Sequence, residues 1–161
     1  MDKAAIPFRP IGVIHSPYTD TGDAPIQGVF KPEVDGVVEV FPEYEEGLKD
    51  IDGFSHLILI YYFHKAEHCS LITTPYLDPE HTHGVFATRK PSRPNAIGIS
   101  VVNLVGREGN TLLVKEIDVL DGTPLLDIKP LVPEFDFRSN VRTGWLENIL
   151  RDTVKDENNP A

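Results

Sequence analysis

Three cations, Arg89, Lys90 and Arg93, stand in the stretch "FATRKPSRPNAIGIS" from Phe86 to Ser100, where Pro91 and Pro94 stiffen the chain. Proline fixes its own φ and drives the residue before it toward extended geometry, so Lys90 and Arg93 sit on a defined backbone. A preset backbone loses less entropy when its side chains engage a ligand. The planar fork of arginine suits a carboxylate or phosphate, and Asn95 adds a donor and an acceptor at a fixed place. The alternative is a proline-rich connection whose arginines pair with the protein's own carboxylates, and the pattern alone leaves both readings open.

The surrounding charge sharpens the question. The chain has 161 residues and a formal net charge of −10. That balance argues against a general nucleic-acid binder, because phosphate affinity comes from clustered Lys and Arg. Between Glu80 and Glu108, however, there is no acidic residue, and Arg89, Lys90, Arg93 and Arg107 all fall in that interval. A local positive field on a negative body favours a small anionic ligand or a single docking face. A solvated loop is the plainer alternative.

Two further groups carry candidate chemistry. His64 and His68 are four apart, with Cys69, His81 and His83 behind them. His64 ends an apolar run, and no second pair has a standard ligand spacing, so no metal site is expected. His64 and Lys65 instead read as a ligand-facing pair where a rigid strand meets a loop. In "EIDVLDGTPLLDIKP", Asp118, Asp121 and Asp127 flank Gly122 and Pro124. This is a good turn by itself; alternatively its carboxylates or backbone groups hold the hydroxyls and amines of a polar ligand. There is no G-x-G, P-loop or G-x-S-x-G, so dinucleotide-fingerprint and nucleophile-elbow templates are excluded.

The elements that must position these residues read mainly as strands. Apolar or alternating runs cover about 8–15, "GVVEVF", "HLILIYYFHK", "GVFAT", "IGISVVNLV", "TLLVKEIDVL" and "GTPLLDIKPLVP". The run from Leu57 to Phe63 is continuous, and the strand around Val101 to Val105 is apolar on both faces apart from Asn103. Phe54, Tyr61, Tyr62 and Phe63 read as core. Pro42 followed by Glu43, Glu45 and Glu46 starts a short helix. Trp145, Leu146, Ile149 and Leu150 recur at helical spacing before a tail, "KDENNPA", that is expected to fray. Seven or eight short strands without strand–helix alternation predict an all-β barrel with short helices. The length predicts one domain over 1–161, with its core at about 8–147. One cysteine excludes an intrachain disulfide and points to a reducing compartment, the cytoplasm. Neither a signal peptide nor a membrane span is expected.

"IGVIHSPY", "GFSHLILIYYFHK", "GVFATRKPSRPNAIGISVVNL" and "DVLDGTPLLDIKPLVPEFD" together resemble the TsaA-like (TrmO) family, over about Phe8 to Glu147. The resemblance implies a single eight-stranded β-barrel, a homodimer, and S-adenosylmethionine bound near the subunit interface. It implies methylation at N6 of threonylcarbamoyladenosine at position 37 of tRNA. Cofactor contacts implied by motif fall on Pro25, Ile26 and Gln27, on His64 and Lys65, on Arg89, on Ile99, and on Asp118, Val119, Leu120 and Asp121. Lys90 and Arg93 would form an RNA-facing rim. Ile26 stands where the family carries a basic residue, and Leu131 where an aromatic one is common. No catalytic base is assigned; His64 is a candidate by position. Two other functions stay open: a non-catalytic dimeric module that binds S-adenosylmethionine or another nucleotide, and a methyltransferase acting on a small molecule.

Overall fold

A computed structural model describes residues 5–157 of the chain. Its strands are β1 (Gly12–His15), β2 (Asp35–Val40), β3 (His56–Tyr62), β4 (Ile72–Thr73), β5 (His83–Gly84), β6 (Ile97–Glu108), β7 (Thr111–Lys115) and β8 (Thr123–Pro130). Two helices follow, α1 (Pro133–Asp136) and α2 (Leu146–Glu157). The expected eight-stranded barrel is corrected in one respect. Six strands close the barrel, in the order β1-β2-β7-β6-β3-β8, while β4 and β5 pair only with each other. Those two are two residues long, too short to span a barrel wall.

Closure follows from alternation. Ile14, Val38, Leu57, Leu59, Tyr61, Val102, Leu112, Val114 and Leu125 point inward and are almost wholly buried. Fully burying one such side chain contributes about 1.5–3 kcal/mol. All barrel pairings are antiparallel, and two bulges bend the wall: β3 slips against β8 between Ile60 and Tyr61, and β6 against β7 between Leu104 and Gly106. Bulges of this kind add local twist and re-aim side chains, as a small barrel requires.

Several local expectations change. "GVFAT" is not a strand, since Val85–Ala87 forms a 3-10 turn. The helix expected at Pro42 is a 3-10 helix, Pro42–Leu48. Phe54 and Tyr62 are exposed rather than core. The tail expected to fray is helical from Lys155 to Glu157, and its remainder, 158–161, lies outside the described residues.

Because the wall is antiparallel, the loops that leave β1, β3 and β7 gather at the same barrel end as those that enter β2, β6 and β8. That end holds nearly every residue singled out above.

Candidate functional site

The site is built on the β1–β2 loop. Gln27 accepts a hydrogen bond through Oε1 from Arg89 Nη1 at 2.8 Å, across 62 positions of sequence. Arg89 follows directly on the 3-10 turn at Val85–Ala87, whose chain end is tied by Thr88 Oγ1 donating to Val85 O at 2.9 Å. Next to Gln27, the Gly28 N–H donates to Asp118 Oδ2 at 2.9 Å. A Cβ on Gly28 would lie 1.9 Å from Glu116 O, so only glycine lets the loop approach the exit of β7 this closely. Glu116 itself has φ of 67°, a left-handed turn that is costly for a non-glycine residue and tends to mark functional sites. It returns Ile117 to the core and turns Asp118 toward Gly28.

Asp118 is the electrostatic centre. Burial raises its carboxyl above the ordinary range; hydrogen bonds from Ser100 and from the backbone of Gly28, and the nearby Arg89 guanidinium, act in the opposite direction. Ser100 Oγ donates to Asp118 Oδ1, and Tyr61 Oη lies 3.0 Å from Ser100 Oγ in the buried wall. Tyr61 is pushed well above its usual phenol value, first by burial and then by Asp118.

The other mouth residues are tied to the same loops. Lys65 Nζ donates to Thr19 O at 2.7 Å. His64 Nδ1 stands 3.4 Å from Thr123 Oγ1. Partial burial and the Lys65 ammonium lower the His64 imidazole, with Asp121 opposing them, so the ring is neutral at pH 7. In the turn at Asp121, the N–H groups of Asp121 and Gly122 donate to Tyr18 O at 2.7 Å and Ile14 O at 3.0 Å. The Asp121 carboxylate accepts from Ser16 N at 3.2 Å and faces His15 Nδ1 at 3.3 Å. Val119 is buried and its carbonyl accepts from Ser16 Oγ at 2.5 Å; Leu120 packs against the core. The "DVLDG" segment is thus locked onto the end of β1.

Gln27, His64, Lys65, Arg89, Asp118 and Asp121 are therefore brought to one barrel end, with Pro25 partly buried and Ile26 exposed beside them. Ile99 is not turned inward with them. It is 46% exposed on the outer face of β6, while its neighbour Ser100 points in at 5%. Asp127 is also separated. It pairs with Lys129 at 2.8 Å and lines a cavity of about 650 Å³ beside Tyr44, Leu48 and Phe54, at the opposite end of the barrel. Lys90 Nζ donates to Thr74 O at 2.8 Å and lies 5.7 Å from the centre of the exposed Tyr76 ring. Arg93 Nη1 donates to the carbonyls of Thr88 at 3.0 Å and Lys90 at 3.2 Å, holding the loop that bears Arg89. Among the described residues, no three His, Cys, Asp or Glu side chains converge as metal ligands. Nor is any helix there long and apolar enough to cross a membrane.

Tyr61, Ser100, Gly28 and Trp145 were not singled out as site residues from sequence. Trp145 donates through Nε1 to Ala87 O at 2.8 Å and stacks on His83 with ring centres 4.4 Å apart. It ties the segment before α2 to the turn preceding Arg89. The one available signal for the wall residues was small residues, Gly98 and Ser100, at alternate positions of an apolar strand, which marks a face approached closely by something else.

The profile of the family described as tRNA-methyltransferase O N-terminal domain matches residues 13–137. A probable S-adenosyl-L-methionine-binding protein of Pyrococcus abyssi is 62% identical over 148 residues, covering 92% of this chain and 80% of the relative. An S-adenosyl-L-methionine-binding protein of Archaeoglobus fulgidus is 44% identical over 129 residues, covering 80% of this chain and 91% of the relative. The crystal structure of TrmO from Pseudomonas aeruginosa superposes with a TM-score of 0.75 at 39% identity, covering 88% of this chain. The chain spans 62% of that TrmO.

Proposed function

The chain belongs to the tRNA-methyltransferase O N-terminal domain family, and from that premise we propose that it is an S-adenosylmethionine-dependent methyltransferase acting on N6 of threonylcarbamoyladenosine at position 37 of tRNA. The observation that carries the reading is the convergence of Gln27, Arg89, Asp118, His64 and Lys65 at one mouth of the barrel. The donor set fits the cofactor. A guanidinium suits its carboxylate, carboxylates suit its amine and ribose hydroxyls, and the net dipole of the mouth suits a zwitterion. The archaeal relatives' names as S-adenosyl-L-methionine-binding proteins support the cofactor directly.

When bound, S-adenosylmethionine would supply a sulfonium-activated methyl group. The residues of this chain bind and align. Arg89, set by Gln27, holds the carboxylate; Asp118 and Asp121 face the amine or ribose; Lys65 closes the rim against Thr19. Alignment of a nucleophile with an activated carbon accounts for large effective molarities without further chemistry. N6 also loses its proton; we assign His64, by its position at the mouth, to receive it. Lys90, whose ammonium lies beside the exposed Tyr76 ring, and Arg93 form the RNA-facing rim.

A homodimer is part of the proposal. Tyr62–Ile97, Ile60–Ile99 and Ile58–Val101 are cross-strand pairs of β3 and β6, and Tyr62, Ile97, Ile99 and Val101 are 37–46% exposed on the outer wall. A contiguous apolar sheet face of this kind suits a second copy.

Nucleoside mass spectrometry of tRNA incubated with protein and cofactor tests the activity. Gain of one methyl on threonylcarbamoyladenosine supports it. The relatives' names also favour a narrower reading, a binding module without catalysis. Cofactor binding by calorimetry with no modified nucleoside selects that reading. Arg89→Ala binding the cofactor as tightly as wild type removes Arg89 from the contact set. Tight tRNA binding that ignores salt counts against the cationic rim.

A further inference from the structure

The wall beneath the mouth contains a polar chain that no comparison assigns. Tyr61 and Ser100 both point into the barrel, at 3% and 5% exposure, among aliphatic side chains. They are brought together by register. Leu59 lies opposite Ser100 and Gly98 opposite Tyr61, so Tyr61 and Ser100 are diagonal neighbours on the inner face. The absence of a side chain at Gly98 is what lets the Tyr61 ring lie across β6, because a Cβ there would stand 2.1 Å from Tyr61 Cε2. The hydroxyl is thereby delivered to Ser100 at 3.0 Å.

The direction of the chain follows from proton count. Gly28 N–H can only donate, so Asp118 Oδ2 accepts. With Asp118 ionised, Ser100 gives its one proton to Oδ1. Ser100 Oγ can then only accept from Tyr61. One ordered path runs from Tyr61 on β3 through Ser100 on β6 to Asp118 after β7, and from there to Gly28 in the β1–β2 loop. Gln27, adjacent to Gly28, accepts from Arg89.

We infer that Tyr61 and Ser100 are positioning residues that aim the Asp118 carboxylate at the Gly28 N–H and, through it, set the Gln27–Arg89 pair for S-adenosylmethionine. The inference rests on the cofactor reading above and names how the cofactor site is preorganised. A buried carboxylate needs donors to stay ionised, and the donors here are Ser100, the backbone of Gly28 and the nearby Arg89 charge. Tyr61 acts one bond further away. It satisfies the acceptor side of Ser100 and so commits the serine proton to Asp118. Preorganisation of this kind reduces the ordering cost that a ligand meets on binding.

Three variants test it: Ser100→Ala, Tyr61→Phe and the double variant. Ser100→Ala orphans the Tyr61 hydroxyl in a dry wall and takes the Ser100 proton from Asp118; the double variant relieves only the first loss. A merely structural pair therefore predicts that stability and cofactor affinity recover together in the double variant, relative to Ser100→Ala. The positioning role predicts that stability in urea unfolding recovers in part while affinity, by calorimetry, stays reduced about tenfold. It also predicts that a carbon-13 titration of Asp118 in unliganded protein moves upward in Ser100→Ala. Wild-type affinity in both single variants, or full recovery in the double variant, overturns the inference and leaves the cofactor reading standing. If wild-type protein itself binds no S-adenosylmethionine, the cofactor reading falls and takes this role with it.

Discussion

Gly98→Ala is the most economical test of how the barrel wall is packed. Gly98 is buried on β6 opposite Tyr61 on β3. The added Cβ would stand 2.1 Å from Tyr61 Cε2, 2.5 Å from its Cζ and 2.8 Å from Phe63 Cζ. The tyrosine ring must swing away, giving up its 3.0 Å contact with Ser100 and its edge-on contact with Phe63, whose centroid lies 5.3 Å away at 87°. Overpacking a core costs about 1–3 kcal/mol. A buried hydroxyl pair broken apart adds about 1–3 kcal/mol, and the aromatic contact about 0.5–1.5 kcal/mol. Because these losses share one ring they are not additive, and the expected total is about 3–5 kcal/mol. For a chain of this length that lowers Tm by roughly 6–20 °C, at about 2–4 °C per kcal/mol. Thermal and urea unfolding followed by circular dichroism would measure it. The cause is isolated by repeating the substitution in a Tyr61→Ala background, where the added methyl meets only the tip of Phe63, at 2.8 Å, and the extra cost should fall by about half or more. A Gly98→Ala protein within about 1 kcal/mol of wild type, or the same cost in both backgrounds, would refute the reasoning.

Three other outcomes are expected. Gly28→Ala drives a Cβ to 1.9 Å from the Glu116 carbonyl, which no side-chain rotation relieves; the β1–β2 loop should lift from Asp118, and calorimetry should show cofactor affinity at least about tenfold weaker. Asp118→Asn should stabilise the unliganded protein by about 1 kcal/mol at neutral pH, since burial raises the native carboxyl and ionising it costs stability as pH rises through that value; the gain should shrink as pH falls toward about 4, while cofactor affinity is lost, and urea unfolding across pH reads the sign. Trp145, the one tryptophan, stacks on His83 at 4.4 Å and donates to Ala87 O at 2.8 Å, so His83→Ala should loosen the indole and shift its fluorescence emission to the red while the far-ultraviolet circular dichroism of the barrel stays unchanged.

Apolar runs bounded by turn signals located β3, β6 and β8 to within a few residues. The proline start at Pro42 and the helical spacing before Leu150 also held. The clustered motifs named Gln27, His64, Arg89 and Asp118 as candidates, and all four lie at one barrel end, because each ends or adjoins a strand and loops at strand ends share a barrel mouth. What sequence could not decide was which face of a strand turns inward. β6 is apolar on both faces, so its period of two names two faces without choosing between them. Only closure with β3 and β7, with its registers and bulges, put Ser100 inside and Ile99 outside.

The same limit explains the other differences. Asp118 and Asp127 are nine positions apart in a single motif, but β8 carries Asp127 down the wall to pair with Ile60, where it faces the cavity of the other end. "GVFAT" has the residues of a strand, yet only Gly84 finds a ladder partner, Ile72, and Val85–Ala87 closes into a 3-10 turn that Trp145 holds from outside. The sequence by itself determined an antiparallel β fold, the family resemblance and a local excess of cations, since these depend on residue type and short-range spacing. Tertiary structure decided the six-stranded closure and the buried path from Tyr61 to Gly28. Both depend on side chains meeting across strands, and the chain's local order does not encode those meetings one at a time.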